Sequence, residues 1–71
     1  MTIFVRFLQN DRFDPIKGCE VVRFIAMTEK GSYHTEIPSD GPKSVRVNRA
    51  AFKEKVVECI RNSIPPGEVS L

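Results

Sequence analysis

The chain has no tryptophan, one tyrosine, one histidine, two cysteines and four glycines among its 71 residues. Each scarcity removes a class of function. His34 stands alone, and Cys19 and Cys59 are far apart, so neither a His-x-x-x-His nor a Cys-x-x-Cys pair is present to seed a metal site. Asp11 and Asp14 lack the ligand spacing of a calcium loop and read as turn stabilisers. Gly31 and Gly41 are isolated turn glycines and form no phosphate-cradling loop. His34, Asp40 and Ser44 supply the residue types of a nucleophilic triad, but without a strained nucleophile turn or a glycine-rich oxyanion loop. These absences point away from an enzyme and away from any metal, cofactor or small-molecule substrate.

Long apolar runs are also missing. None approaches the roughly 20 residues of a membrane span. Met1-Thr2-Ile3-Phe4-Val5-Arg6 lacks the basic start and extended apolar stretch of an export signal. The expectation is a cytoplasmic chain that makes no membrane contact and keeps Cys19 and Cys59 as buried free thiols. No run of basic residues appears either. The 11 Lys and Arg, against 9 Asp and Glu, are scattered from Arg6 to Arg61 and leave a net charge of +2. That is too weak to argue for nucleic acid without further support.

What is present is globular in character: 41% of residues are apolar and 28% charged. A chain this short buries only about 60% of the surface it exposes when unfolded, so burial in a homodimer or a partner complex would help it. The pattern predicts one α+β domain over residues 1–66, a small antiparallel sheet of three to four strands followed by one C-terminal helix on one face, with 67–71 as a frayed C-terminal tail in preference to a short added strand. Thr2–Leu8 is apolar and β-branched enough for a strand, and Gln9–Gly18 reads as a loop around Asp14, Pro15 and Gly18. Cys19–Thr28 is the longest strand candidate. Glu29-Lys30-Gly31 suits a three-residue hairpin loop, and Ser32–Ile37 returns. Ser44–Val47 reads as a short fourth strand at an edge, with Pro42 just before it. Asn48 then caps a helix, with Val47 and Phe52 placed as a hydrophobic staple. Phe52, Val56, Cys59 and Ile60 form its apolar stripe, and Pro65-Pro66 ends it.

The hairpin loop fixes which side chains share a face. With Gly31 in the loop, Val21, Arg23, Ile25, Met27, Tyr33, Thr35 and Ile37 fall on one side and, being more apolar, are assigned to the core with Ile3, Val5, Phe7, Val45 and Val47. Arg23 is then on the core side and must reach out past the helix; a register shifted by one residue exchanges the faces. The outward face collects Phe4, Arg6, Leu8, Val22, Phe24, Ala26, His34, Glu36 and Arg46. Aromatic and basic side chains mixed in this way suit single-stranded nucleic acid, with rings stacking on bases and arginines on phosphates. The candidate binding residues are therefore Phe4, Arg6, Phe24, His34 and Arg46. The same face equally suits a homodimer or a protein partner, as in the small adaptors and inhibitors of phages and mobile elements.

Four strands followed by a helix, with Pro42-Lys43-Ser44-Val45-Arg46-Val47-Asn48 as the junction and Phe52 beyond it, resembles the single-stranded-DNA-binding transcriptional coactivator family in architecture over residues 19–63. The resemblance implies a dimer with a curved sheet that binds single strands.

Overall fold

A computed structural model describes residues 5–39 and 41–71. Among these residues three strands, β1 (Arg6–Asp14), β2 (Cys19–Thr28) and β3 (Gly31–Pro38), form one antiparallel sheet in the order β1-β2-β3, and one helix, α1 (Pro42–Arg61), follows.

β1 lies later than expected. Residues 2–4 of the predicted strand are outside the described residues, and Gln9–Asp14, read as loop, is strand. Gln9-Asn10-Asp11-Arg12 has little β-propensity of its own. It is extended because the ladder to β2 holds it, and as an edge strand it can stay polar. The turn shrinks to Pro15–Gly18. Asp14 Oδ1 accepts the backbone N–H of Ile16 at 2.9 Å and of Lys17 at 3.3 Å, and Gly18 N–H donates to Asp14 O at 2.8 Å.

The second hairpin has a two-residue loop, Glu29-Lys30, rather than three residues. Thr28 pairs with Gly31, Ala26 with Tyr33, Phe24 with Thr35 and Val22 with Ile37. Thr28 Oγ1 donates to Gly31 O at 2.8 Å and accepts from Lys30 N–H at 3.2 Å, which ties the loop shut. Gly31 has φ of +137°, a conformation that favours glycine, and a Cβ there would press on the Pro66 ring at 3.1 Å.

That one-residue change reverses the expected assignment of β2. Val22, Phe24 and Ala26 face the helix, while Arg23, Ile25 and Met27 face away. The core comprises Val22, Phe24, Ala26, Tyr33, Phe52, Val56 and Val69, with Val5, Ile37, Val45, Cys59 and Ile60 packed around it. Phe52 stacks on Phe24 with ring centroids 5.7 Å apart and meets Phe7 edge-on at 6.4 Å. Fully burying a Phe is worth about 1.5–3 kcal/mol, whereas burying an unpaired Arg23 would cost several kcal/mol. The observed register therefore wins although the rejected face also offers Ile25 and Met27.

The fourth strand does not form. Ser44–Val47 lies inside α1, which starts one residue after Gly41 with Pro42 in its first turn. Proline is well suited there, because its missing N–H has no partner in that turn anyway. The alternation of Val45 and Val47 over four residues fits a helix as well as a strand. With this segment helical, the described residues show neither the four-strand architecture nor the strand-to-helix junction behind the coactivator resemblance. Asn48 is not a cap: its Nδ2 donates to Ser44 O at 2.9 Å from within the helix, and Val47, the other half of the expected staple, is 62% exposed.

Residues 67–71, expected as a frayed tail in preference to a short added strand, run along β3. After α1 the chain reverses, and Tyr33 Oη donates to Ile64 O at 2.6 Å. His34 N–H then donates to Gly67 O at 3.0 Å and Val69 N–H to His34 O at 2.8 Å, forming a short parallel bridge along the free edge of β3. Val69 is buried in the core.

Asn48→Ala separates the two readings of the helix start. Loss of a cap would cost about 0.5–2 kcal/mol. A helix-interior asparagine replaced by the best helix former should leave stability within about 0.5 kcal/mol or raise it, and urea denaturation reads the difference.

Candidate binding surface

Strand pairing sets out the sheet face that turns away from α1. Arg6, Met27 and Ser32 form one row across the three strands. Leu8, Ile25 and His34 form the next, then Asn10, Arg23 and Glu36, then Arg12, Val21 and Pro38. Leu8, Ile25 and Met27 make a contiguous apolar strip, with Met27 46% exposed. Arg6 and Arg23 border it, and half-buried His34 closes it on the β3 side. Among the described residues no helix or strand covers this face. Arg12 Nη2 reaches over β2 to Glu36 Oε1 at 2.9 Å. Both groups are well exposed, so this pair is worth about 0–1 kcal/mol and orders the surface more than it stabilises the fold. Val21, flanked by Arg12 and Pro38, is buried beside it.

The residues predicted to bind do not share one surface. Phe4 lies outside the described residues. Arg6 and His34 are on the open face. Phe24, expected outward, is buried under Phe52. Arg46, expected on a fourth strand, is an exposed residue of α1. An aromatic platform built on Phe24 is thus not assembled, and the described part of the open face carries no Phe or Tyr. Sequence reasoning missed Arg12, Arg23, Ile25 and Met27. The available signal was Arg23 itself, a charge that the chosen register had to bury.

Other features of the surface are less structured. A depression of about 500 Å³ runs along the solvent side of α1 between Lys53 and Asn62 and contains none of the predicted residues. Cys19 and Cys59 are free thiols, half-buried rather than buried. They lie on opposite sides of the sheet, Cys19 on the open face and Cys59 against the core. Among the described residues no three His, Cys, Asp or Glu side chains converge. No described helix is long and apolar enough to cross a membrane.

Comparison with known proteins gives no match to a family model, a curated protein or a solved structure.

The assignment of faces makes a paired prediction. Met27→Lys should change stability by no more than about 0.5 kcal/mol, as at an ordinary surface position. Ala26→Lys, its neighbour on the core side, places a charge under the helix and should destabilise by several kcal/mol. Thermal or urea unfolding of the two variants would give the reverse order if Met27 faced the core.

Proposed function

We propose that this chain is a small non-catalytic binding module that holds an acidic protein segment against the open face of its sheet. The observation that carries this reading is the apolar strip of Leu8, Ile25 and Met27 bordered by Arg6 and Arg23. A solvated sheet face is ordinarily polar, and apolar area rimmed by charge marks a surface that associates. The rim chooses the partner's charge. Arginine pairs with carboxylates in two-pronged hydrogen bonds, so a segment alternating apolar and acidic side chains fits strip and rim together.

A nucleic-acid role is less well supported. Arg6, Arg12 and Arg23 suit phosphates, but binding single strands also draws on rings that stack on bases, and Phe24 is spent in the core. Glu36 further engages Arg12. A reducing, cytoplasmic setting suits the free thiols of Cys19 and Cys59.

The test is amide chemical-shift mapping with two probes, a peptide of alternating leucine and glutamate and a single-stranded oligonucleotide. The peptide is expected to shift Leu8, Arg23, Ile25 and Met27 at concentrations up to about 1 mM, the weak end of specific recognition. Arg23→Glu is expected to abolish the effect. Peptide shifts confined to α1 would contradict the proposal. So would oligonucleotide shifts on the open face that fade as salt rises, which would transfer the face to nucleic acid.

A further inference from the structure

The outer edge of β1 is the second unused surface, and its hydrogen-bonding groups are identified by the far edge of the sheet. His34 directs its N–H and C=O outward to Gly67 and Val69. Tyr33 and Thr35 therefore direct theirs to β2, and counting across the two registers leaves Phe7, Gln9, Asp11 and Phe13 with N–H and C=O facing away from the sheet. Every residue from Arg6 to Phe13 is exposed, and among the described residues no strand pairs with this edge. Phe13 is 62% exposed on the helix side of the sheet, an unusual place to leave an aromatic ring in water.

We infer that β1 pairs antiparallel with β1 of a second copy of this chain, in the register centred on Asn10. The strand Arg-Phe-Leu-Gln-Asn-Asp-Arg-Phe-Asp is complementary to its own reverse. Centred on Asn10, Arg6 faces Asp14 of the second copy, Phe7 faces Phe13, Leu8 faces Arg12 and Gln9 faces Asp11. The residues with outward backbone groups then face one another, so all of their N–H and C=O groups are satisfied. Moving the centre to Gln9 sets Arg6 against Arg12, and moving it to Asp11 sets Asp11 against itself. Like charges directly opposite destabilise a strand pair, so charge selects the Asn10 register over its two neighbours, and it also pairs the full length of β1. A centre between two residues brings helix-side residues opposite open-face ones and cannot align the outward groups.

Side chains around the edge reinforce this pairing. Phe13 of the second copy extends the aromatic row formed by Phe7, Phe52 and Phe24. Arg49 Nη1, which donates to Gln9 Oε1 at 3.2 Å, is brought beside Asp11 of the second copy. Lys53, whose Nζ lies 5.3 Å from the Phe7 ring centroid, borders the same row. The two helices lie on one side of the joined sheet. Each contacts β2, so they stand about three strand spacings, or about 14 Å, apart. Packed helices need only 8–10 Å, which leaves room for the phenylalanines between them. The opposite side becomes a continuous surface of six strands carrying two copies of the open face.

Cysteine scanning with sedimentation equilibrium tests the pairing. Asn10 sits on the two-fold axis in a non-hydrogen-bonded pair, where Cα atoms are about 4.5 Å apart, close enough for a disulfide. Asn10→Cys is expected to form a covalent dimer under mild oxidation faster than Gln9→Cys, Asp11→Cys or the wild type. Gln9→Pro removes an outward N–H and the exposed Gln9 side chain that Arg49 contacts, but no backbone group that pairs with β2. It is therefore expected to keep the β1–β2 ladder, checked by its amide spectrum, and to sediment as a monomer. A wild-type monomer across the concentration range would overturn the inference. So would fastest cross-linking at position 9 or 11, or a folded Gln9→Pro variant that remains dimeric. The shift mapping of the open face is independent of these results.

Discussion

Phe52 lies between Phe7 on the edge strand and Phe24 on the central strand, and the remaining organisation of the chain depends on that contact. A sheet of three short strands has little stability by itself, and this one gains most where α1 covers Val22, Phe24 and Ala26. Aromatic pairs add about 0.5–1.5 kcal/mol each beyond the area they bury. The ion pair between Arg12 and Glu36 lies at the surface and does not compete with this contact. Once Phe24 is committed to the helix, the parity of β2 is set. Arg23, Ile25 and Met27 must turn outward, and the open face acquires its composition.

The C-terminal segment completes the same side. Tyr33 reaches Ile64, His34 binds Gly67 and Val69, and Val69 closes the core beside β3. One edge of the sheet is thereby occupied, while among the described residues no strand pairs with the β1 edge. Two surfaces remain on this packing: the open face, proposed to hold an acidic partner segment, and the β1 edge, proposed to pair with a second copy. If both are used, the pair of chains presents its binding face twice, and linked sites hold a two-site partner more tightly than either alone.

Much of the architecture was legible in the sequence. β2 matched to the residue because ten residues rich in Val, Ile and Phe between a turn and a hairpin leave little choice. The stripe from Phe52 to Ile60 was clear because helical spacing is distinctive over several turns. The errors have specific physical causes. Ser44–Val47 is too short for alternation to separate strand from helix, and the Gly41-Pro42 start was the stronger signal. β1 is polar because it is an edge strand, a property of its place in the sheet and not of its residues. The hairpin register turned on whether Gly31 lies in the loop or closes it, and one residue there exchanged the faces of β2. Arg23 held the information that decides it, because a buried unpaired charge outweighs two additional apolar side chains. Of the predicted binding residues among those described, Arg6 and His34 lie on the open face as expected. Phe24 is in the core because the hairpin register differs by one residue, and Arg46 is on the helix because Ser44–Val47 is not a strand.

The contacts of the Phe52 ring test this account most directly, through a nuclear Overhauser spectrum of the chain in solution. The account predicts cross-peaks from the Phe52 ring protons to the rings of Phe24 and Phe7, and none to Ile25 or Met27. Cross-peaks from Phe52 to Ile25 and Met27, with Phe24 lacking contact to the helix, would contradict it and exchange the two faces of the sheet.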